Sequence, residues 1–365
     1  VLKLFGGFDG AMEVPGFKHE WMLEDQWKLR GKIDNAPGAA GTTISINAND
    51  AHRYPRGTIL QFGKPSDNVT PELVWVSAQV DADDLTVVRN YAGTTSLTLA
   101  SGDEFLVAGF SEVEGTTWTL RQTATKTLVF NLQQVMKTAV RGSWANEAIR
   151  KYGIPAGNDI NEQMARSMKQ VLQSFNNQLL LGQRDAGVGA GEPNSMGGVD
   201  FYVTSANGAY VKDLAGASLT LKDIMDMFED RFYEVGAENV GKTLLTDYWG
   251  YRKINSFYDP GVRLETMDNE VGLRVSVLRT PIGDVQVLYD PVVPKGKMYL
   301  LRTEQLSVVR LPDPPGNFPP SRLHIGMSGN TATGDFTEMY LYGVYGCKVK
   351  NPATMGIITD YSTTS

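Results

Sequence analysis

Residues 158–182 read NDINEQMARSMKQVLQSFNNQLLLG, and the order of everything else in the chain is set by this stretch. Ile160, Met164, Met168, Val171, Leu172, Phe175 and Leu179 recur at steps of four, four, three, one, three and four, which places them on one face of a helix. Asp159 followed three residues later by Glu162 fits a capping box, and Gly182 supplies a residue able to turn left-handed at the far end. At about 1.5 Å per residue such a helix is roughly 35 Å long, enough to cross a domain. It reads as a spine.

The chain around it has 365 residues, more than one compact core needs, which predicts two or three lobes. A formal net charge of -7 argues against a surface built to grip nucleic acid by neutralising phosphates. The single cysteine, Cys347, has no internal partner for a disulfide, which fits a reducing compartment. No apolar run is long enough to span a membrane and the start, VLKLFGGFDG, is not a secretory signal, so a soluble protein made in a cytoplasm is expected. Val1 at the start implies either a trimmed methionine or a precursor cut upstream.

Residues 1–41 lack periodicity yet carry Phe17, Trp21 and Trp27, and an irregular segment with large rings needs a surface to lie on. An arm packed on this subunit or its neighbour is expected. From 42 to 115 the pattern changes to strands: 43–46, 58–62, 72–80, 85–88, 97–99 and 104–108, with turn residues between them. Between Phe62 and Glu72 stands GKPSDNVTP, the polar tip of a long hairpin that would need support from another chain. Phe62, Lys64, Pro65 and Asn68 at this tip, with Trp21 and Trp27 of the arm, are the candidate contacts between subunits. After the spine, DAGVGAGEPNSMGG (185–198) reads as a glycine-rich link and a boundary. A short strand is expected at 201–205. Residues 220–235 form a second amphipathic helix, with Thr220 capping, Asp223 behind it and Gly236 at the end. Short strands follow at 272–278, 283–289, 297–301 and 306–309, then a proline-rich return, LPDPPGNFPP (311–320), and strands at 322–325 and 337–349.

Several motifs occur in one order: GTT (93–95), SGDEFLVAG (101–109), EVEG (112–115), FNLQQV (130–135), the spine ending in LLLG, and EMYLYGVYGCKVKNPATMGII (338–358). In that order they resemble the major capsid proteins of tailed bacteriophages, over residues 42–358, in the branch where a strand-rich extended loop leads into the spine. The resemblance implies an α+β HK97-like fold with a long spine helix, an extended β-hairpin loop and a discontinuous peripheral lobe. It divides the chain into an arm (1–41), an extended β loop (42–115), a peripheral domain (116–198 and 311–365) and an axial domain (199–310). It also implies a structural subunit of an icosahedral virion head, self-assembling into pentamers and hexamers that enclose double-stranded DNA. Portal, scaffold or protease, and decoration proteins would be its other partners, with assembly in the host cytoplasm and no membrane. Some shells of this family, whose type member is phage Hong Kong 97, weld subunits by a lysine-to-asparagine isopeptide bond, which makes Lys64 a candidate for such a bond. Rival readings are an encapsulin-like nanocompartment shell, a nucleotide-binding protein and a phage tail or adhesion protein.

The nucleotide reading rests on GAENVGKT (236–243), which satisfies G-x-x-x-x-G-K-[ST] and would make Lys242 and Thr243 phosphate and magnesium ligands. A P-loop runs from a strand to the amino end of a helix, whereas here a helix precedes it and presents its carboxyl end, the wrong partial charge for an anion. LLTDYWGY, which follows, has no helical start signal and reads as well as a strand. A helix-to-strand loop is therefore expected. The GxGxG of 187–191 likewise follows a helix, not a strand, so no dinucleotide site is read from it. His19, His52 and His324 are scattered, Cys347 lies in an apparent strand, and Asp81, Asp83 and Asp84 lack the glycine and glutamate of a calcium loop. No enzyme, catalytic residue, metal or cofactor is expected.

Overall fold

The computed structural model describes residues 1–8, 10–24, 29–46, 50–63, 70–115, 126–149, 159–187, 192–257, 277–280, 283–316, 319–328 and 335–363. It divides into two compact units. The first comprises Val1–Leu23, Leu128–Arg231 and Glu238–Ser365, and the second Glu24–Thr127 with Phe232–Ala237.

In the first unit the spine is a helix over Asp159–Leu181. It lies on a sheet whose central strand, Phe336–Val349, pairs antiparallel with Gln134–Ser143 over ten residues, from Gln134 opposite Tyr345 to Ser143 opposite Phe336. The other flank of this strand holds His324–Ser328 towards one end and Leu306–Arg310 towards the other, with Met12–Glu13 parallel to the latter. Successive residues of a strand face opposite sides, so Val140 and Leu341 turn inward onto Ile160 and Met164, while Lys137, Ala139 and Arg141 face out. Further along, Phe175 is buried against Tyr345 and Phe8.

Both ends of the spine are closed by tertiary contacts. The amide of Ile160 donates to Glu147 Oε1 at 3.1 Å, from the short helix Trp144–Ala148, and Glu162 forms an ion pair with Arg166 one turn on. Gly182 is not left-handed. A Cβ there would stand 2.5 Å from the carbonyl oxygens of Gln178 and Met196, so glycine is required by a close backbone crossing at which the Gly198 amide donates to the Gly182 carbonyl at 2.7 Å. The expected flexible link thus ends in packed structure: Asp185 and Ser195 bridge, and Met196 is fully buried. Residues 199–202 form a helical turn, not a strand, which sends both Val199 and Tyr202 into the core.

A second sheet in the same unit runs in the order Tyr210–Asp213, Gly356–Thr359, Met298–Leu301, Thr243–Thr246, Gly283–Tyr289, Val277–Thr280. Leu306–Arg310 joins the spine sheet and Gly356–Thr359 joins this one. Pairing partners distant in sequence decide where a strand sits. The helix Leu221–Val235 has the expected cap: Thr220 N–H donates to Asp223 at 2.9 Å, the Asp223 amide donates back to Thr220 Oγ at 3.3 Å, and Gly236 leaves it at φ +81°.

The second unit contains the expected hairpin, Thr58–Phe62 with Glu72–Gln79. It is one part of a six-stranded sheet in the order Arg30–Lys32, Glu104–Phe110, Thr58–Phe62, Glu72–Gln79, Asp84–Val88, Thr43–Ser45. The edge strands meet at an Ile33–Ile46 bridge, with the Asp34 amide donating to the Ser45 carbonyl at 2.8 Å, and the sheet closes into a small barrel. Ile44, Leu60, Phe62, Val74, Leu85 and Phe105 fill it. The hairpin is therefore supported within its own chain, since closure removes the edges and encloses a core. Gly31 lets Phe105 approach: a Cβ there would lie 2.4 Å from the ring.

Opposite Phe62 at the start of its strand, Glu72 is fully buried and accepts from Arg89 Nε and Nη2 at 2.6 Å each, and from the Leu97 and Asn90 amides at 2.8 and 3.3 Å. Burial pushes this carboxyl up, but the Arg89 guanidinium and the two amides outweigh it and hold the group below the usual carboxylate range.

Candidate assembly surfaces

The candidate contact residues divide into two groups. Trp21 is buried in the core of the first unit, with its ring 5.5 Å from those of His19 and Tyr202, and Phe62 is fully enclosed in the barrel. Both are core residues of their own subunit. Trp27, Lys64, Pro65 and Asn68 lie outside the described residues.

FNLQQV (130–135) holds a polar hub. Asn131, fully buried, donates to the carbonyls of Gly197 and Cys347 at 2.9 and 2.8 Å and accepts from the amides of Gly197 and Leu132 at 2.8 Å each. Two donors and two lone pairs are all used. The Cys347 thiol donates to the Gly197 carbonyl at 2.9 Å and is pushed up to about 12 by burial, so it is an inert core group and not a nucleophile. Next to the hub, Gln133 is buried, with its amide donating to the Phe17 carbonyl at 2.7 Å and its side chain to Gly16 at 3.1 Å.

GAENVGKT connects the carboxyl end of the helix Leu221–Val235 to the strand Thr243–Thr246, the opposite polarity to a P-loop. Thr243 is buried between Gln286 and Leu301 in the sheet, and the Gly241 amide donates to the Thr354 carbonyl at 3.1 Å. LLTDYWGY divides into that strand and the helix Tyr248–Phe257, whose start is capped by Asp247 accepting from the Gly250 amide at 2.9 Å. Asp81 accepts from the amides of Asp83 and Asp84 at 2.9 Å each, which makes the acidic run a turn. Among the described residues no group of three or more potential metal ligands occurs, and no helix is long and apolar enough to cross a membrane.

Two surfaces remain open. Among the described residues the strand His324–Ser328 is paired on one side only, and it exposes Ile325 at 46% and Met327 at 67%. Beside the second sheet, Tyr248 is 65% and Tyr289 51% exposed, their rings 6.2 Å apart. An unpaired apolar edge and a pair of exposed tyrosines are features of surfaces that other chains cover. Neither is marked locally in the chain, because HIGMS alternates like any half-buried strand and exposure depends on what packs beside it.

Residues 18–362 match a family described as SU10 major capsid protein. No curated protein matches the sequence. Among solved structures the fold is similar to a cyanophage A-1(L) capsid subunit, at 12% identity and a TM-score of 0.52, covering 70% of this chain and 85% of that one. Two further likenesses have lower TM-scores: the SrpI encapsulin from Synechococcus elongatus PCC 7942 (0.44, 12% identity, 66% and 79% covered) and the capsid of an empty GTA particle (0.45, 14% identity, 70% and 80% covered). With a spine helix on one sheet and a family match over nearly its whole length, the chain belongs to the SU10 major capsid protein family and is an HK97-like structural subunit of a phage head shell, not an enzyme.

Proposed function

We propose that copies of this chain form pentamers and hexamers and close into the icosahedral head of a tailed phage that encloses double-stranded DNA. The family match across residues 18–362 carries this reading, because it spans both units and so concerns the whole subunit. In it the spine helix and its sheet are the peripheral lobe, the second sheet with its two helices is the axial lobe, residues 1–41 are the arm and the barrel stands in the place of the extended loop. The open edge at Ile325 and Met327 and the Tyr248–Tyr289 pair support it as surfaces for neighbouring copies. An acidic chain, at -7, suits a wall that confines DNA without holding it. Portal, scaffold or protease, and decoration proteins are the further partners, and the host cytoplasm is the place of assembly. Native mass spectrometry of the purified chain tests the stoichiometry: five- and six-fold multiples of 40.0 kDa are expected, and a monomer at every concentration overturns the reading.

A further inference from the structure

The barrel unit is joined to the first unit by two paired strands: the chain enters along Lys18–Glu24 and returns along Lys126–Leu132. At the base of this stem His19 is 3% exposed, its ring stacked on Trp21 and its Nε2 3.1 Å from the Cys347 carbonyl oxygen. A carbonyl only accepts, so the ring proton is on Nε2 and Nδ1 carries the lone pair. Nδ1 is buried and has no hydrogen-bond partner among the described residues.

Among the described residues the surroundings offer no acceptor to a second proton. From the strand Phe336–Val349 come the Cys347 thiol and the Lys348 ammonium, which stands 5.8 Å over the Trp21 ring. The turn Val199–Tyr202 presents the Tyr202 phenol, its ring 5.5 Å from that of Trp21, and the partner strand presents Asn131, an uncharged amide. Lys18 and Glu20, the chain neighbours of His19, pair with each other at the surface. A proton from solvent taken up at Nδ1 would create a buried cation with an unmet N–H beside Lys348.

We propose that His19 is an acid-sensitive latch on the stem of the barrel: protonation at Nδ1 expels the ring from its seat and frees Lys18–Glu24, Trp21 included, while the two cores stay folded. Burial first, and Lys348 in addition, hold the imidazole down to about 4 despite its bond to Cys347, against 6.5 when it is free. Opening of the strand is therefore expected to become tenfold easier per pH unit below 6.5 and to level off near 4, about 300-fold in all.

Hydrogen exchange of the full chain between pH 7.5 and 4, corrected for intrinsic rates, tests this. Protection of Lys18–Glu24 is expected to fall on that course while Thr58–Phe62 and the centre of Phe336–Val349 stay protected. In His19→Gln, which keeps an N–H for Cys347 and does not titrate, the stem is expected to show a flat profile. In Lys348→Glu, which gives the cation a counter-charge, the fall should end at higher pH and be smaller. Equal slopes in wild type and His19→Gln, or a barrel core losing protection in parallel, overturn the proposal. If His19→Gln does not fold, an unchanged profile in Lys348→Glu overturns it alone.

Discussion

The side-chain amide of Asn131 holds Gly197 in both directions, donating to its carbonyl at 2.9 Å and accepting its N–H at 2.8 Å. This one residue joins the strand that returns from the barrel, the segment after the spine and, through the Cys347 carbonyl, the long strand of the spine sheet. Asn131→Ala would leave the Gly197 and Leu132 amides unmet in a dry interior, at about 1–3 kcal/mol for each group that water does not reach, while the Gly197 and Cys347 carbonyls keep the Cys347 thiol and His19 as donors. Asn131→Asp is expected to be worse, because a buried carboxylate cannot donate to either carbonyl. Denaturant unfolding of the purified subunit measures both, and a loss under about 1 kcal/mol for Asn131→Asp would show that the hub is not under tension.

Arg89 and Glu72 make the corresponding lock in the barrel. Arg89→Met would strand a buried carboxylate and is expected to cost the barrel about 3–5 kcal/mol, whereas Arg89→Met with Glu72→Leu should recover much of it. Since the Glu72 carboxyl is held below its usual range, its contribution is complete above that range and is lost as pH falls through the lowered value. Acid unfolding of the barrel, followed by Trp75 fluorescence, should lose this acid-dependent component in the double variant.

Glycines give a paired test of why a glycine is there. Gly182→Ala would force a Cβ to 2.5 Å from two carbonyl oxygens and is expected to prevent folding or cost several kcal/mol. Gly236→Ala meets no atom within 4 Å and bears only the left-handed penalty, about 1 kcal/mol. Thermal unfolding of the two variants separates crowding from backbone preference.

Lys242→Ala is expected to leave the protein unchanged in nucleotide titrations, because neither it nor wild type should take up ATP at micromolar concentrations. Saturable binding that vanishes in Lys242→Ala would restore the P-loop reading of GAENVGKT.

The parts of this fold legible in the sequence are those fixed by local chemistry. The apolar face of the spine, the Thr220–Asp223 box, the turn at Asp81 and the polarity of GAENVGKT all depend on residues within a few positions of one another. What could not be read depends on distant partners. The Ile33–Ile46 bridge closes the barrel through a sheet order that no single strand encodes, and Gly182 looks like any helix-ending glycine until Gly198 is seen across from it. The burial of Trp21 and Phe62 is hidden for the same reason: a large ring in an irregular arm or at a hairpin end is apolar enough for an interface, and only the fold shows that its own subunit covers it. Residues 130–135 stand out in the sequence by resemblance alone, and the bonds of Asn131 give that segment a physical role.

Phe175→Asp places a charge where Phe8 and Tyr345 meet the spine, and is expected to unfold the subunit and abolish assembly together. Soluble shells from that variant would mean that the core is elsewhere.

The most direct measurement is electron microscopy of the purified wild-type chain under assembly conditions. Closed polyhedral shells of uniform diameter, each subunit with a small barrel distinct from the spine lobe, are the predicted result. A stable monomer, or particles that never close, would contradict the assignment of this chain as a shell subunit.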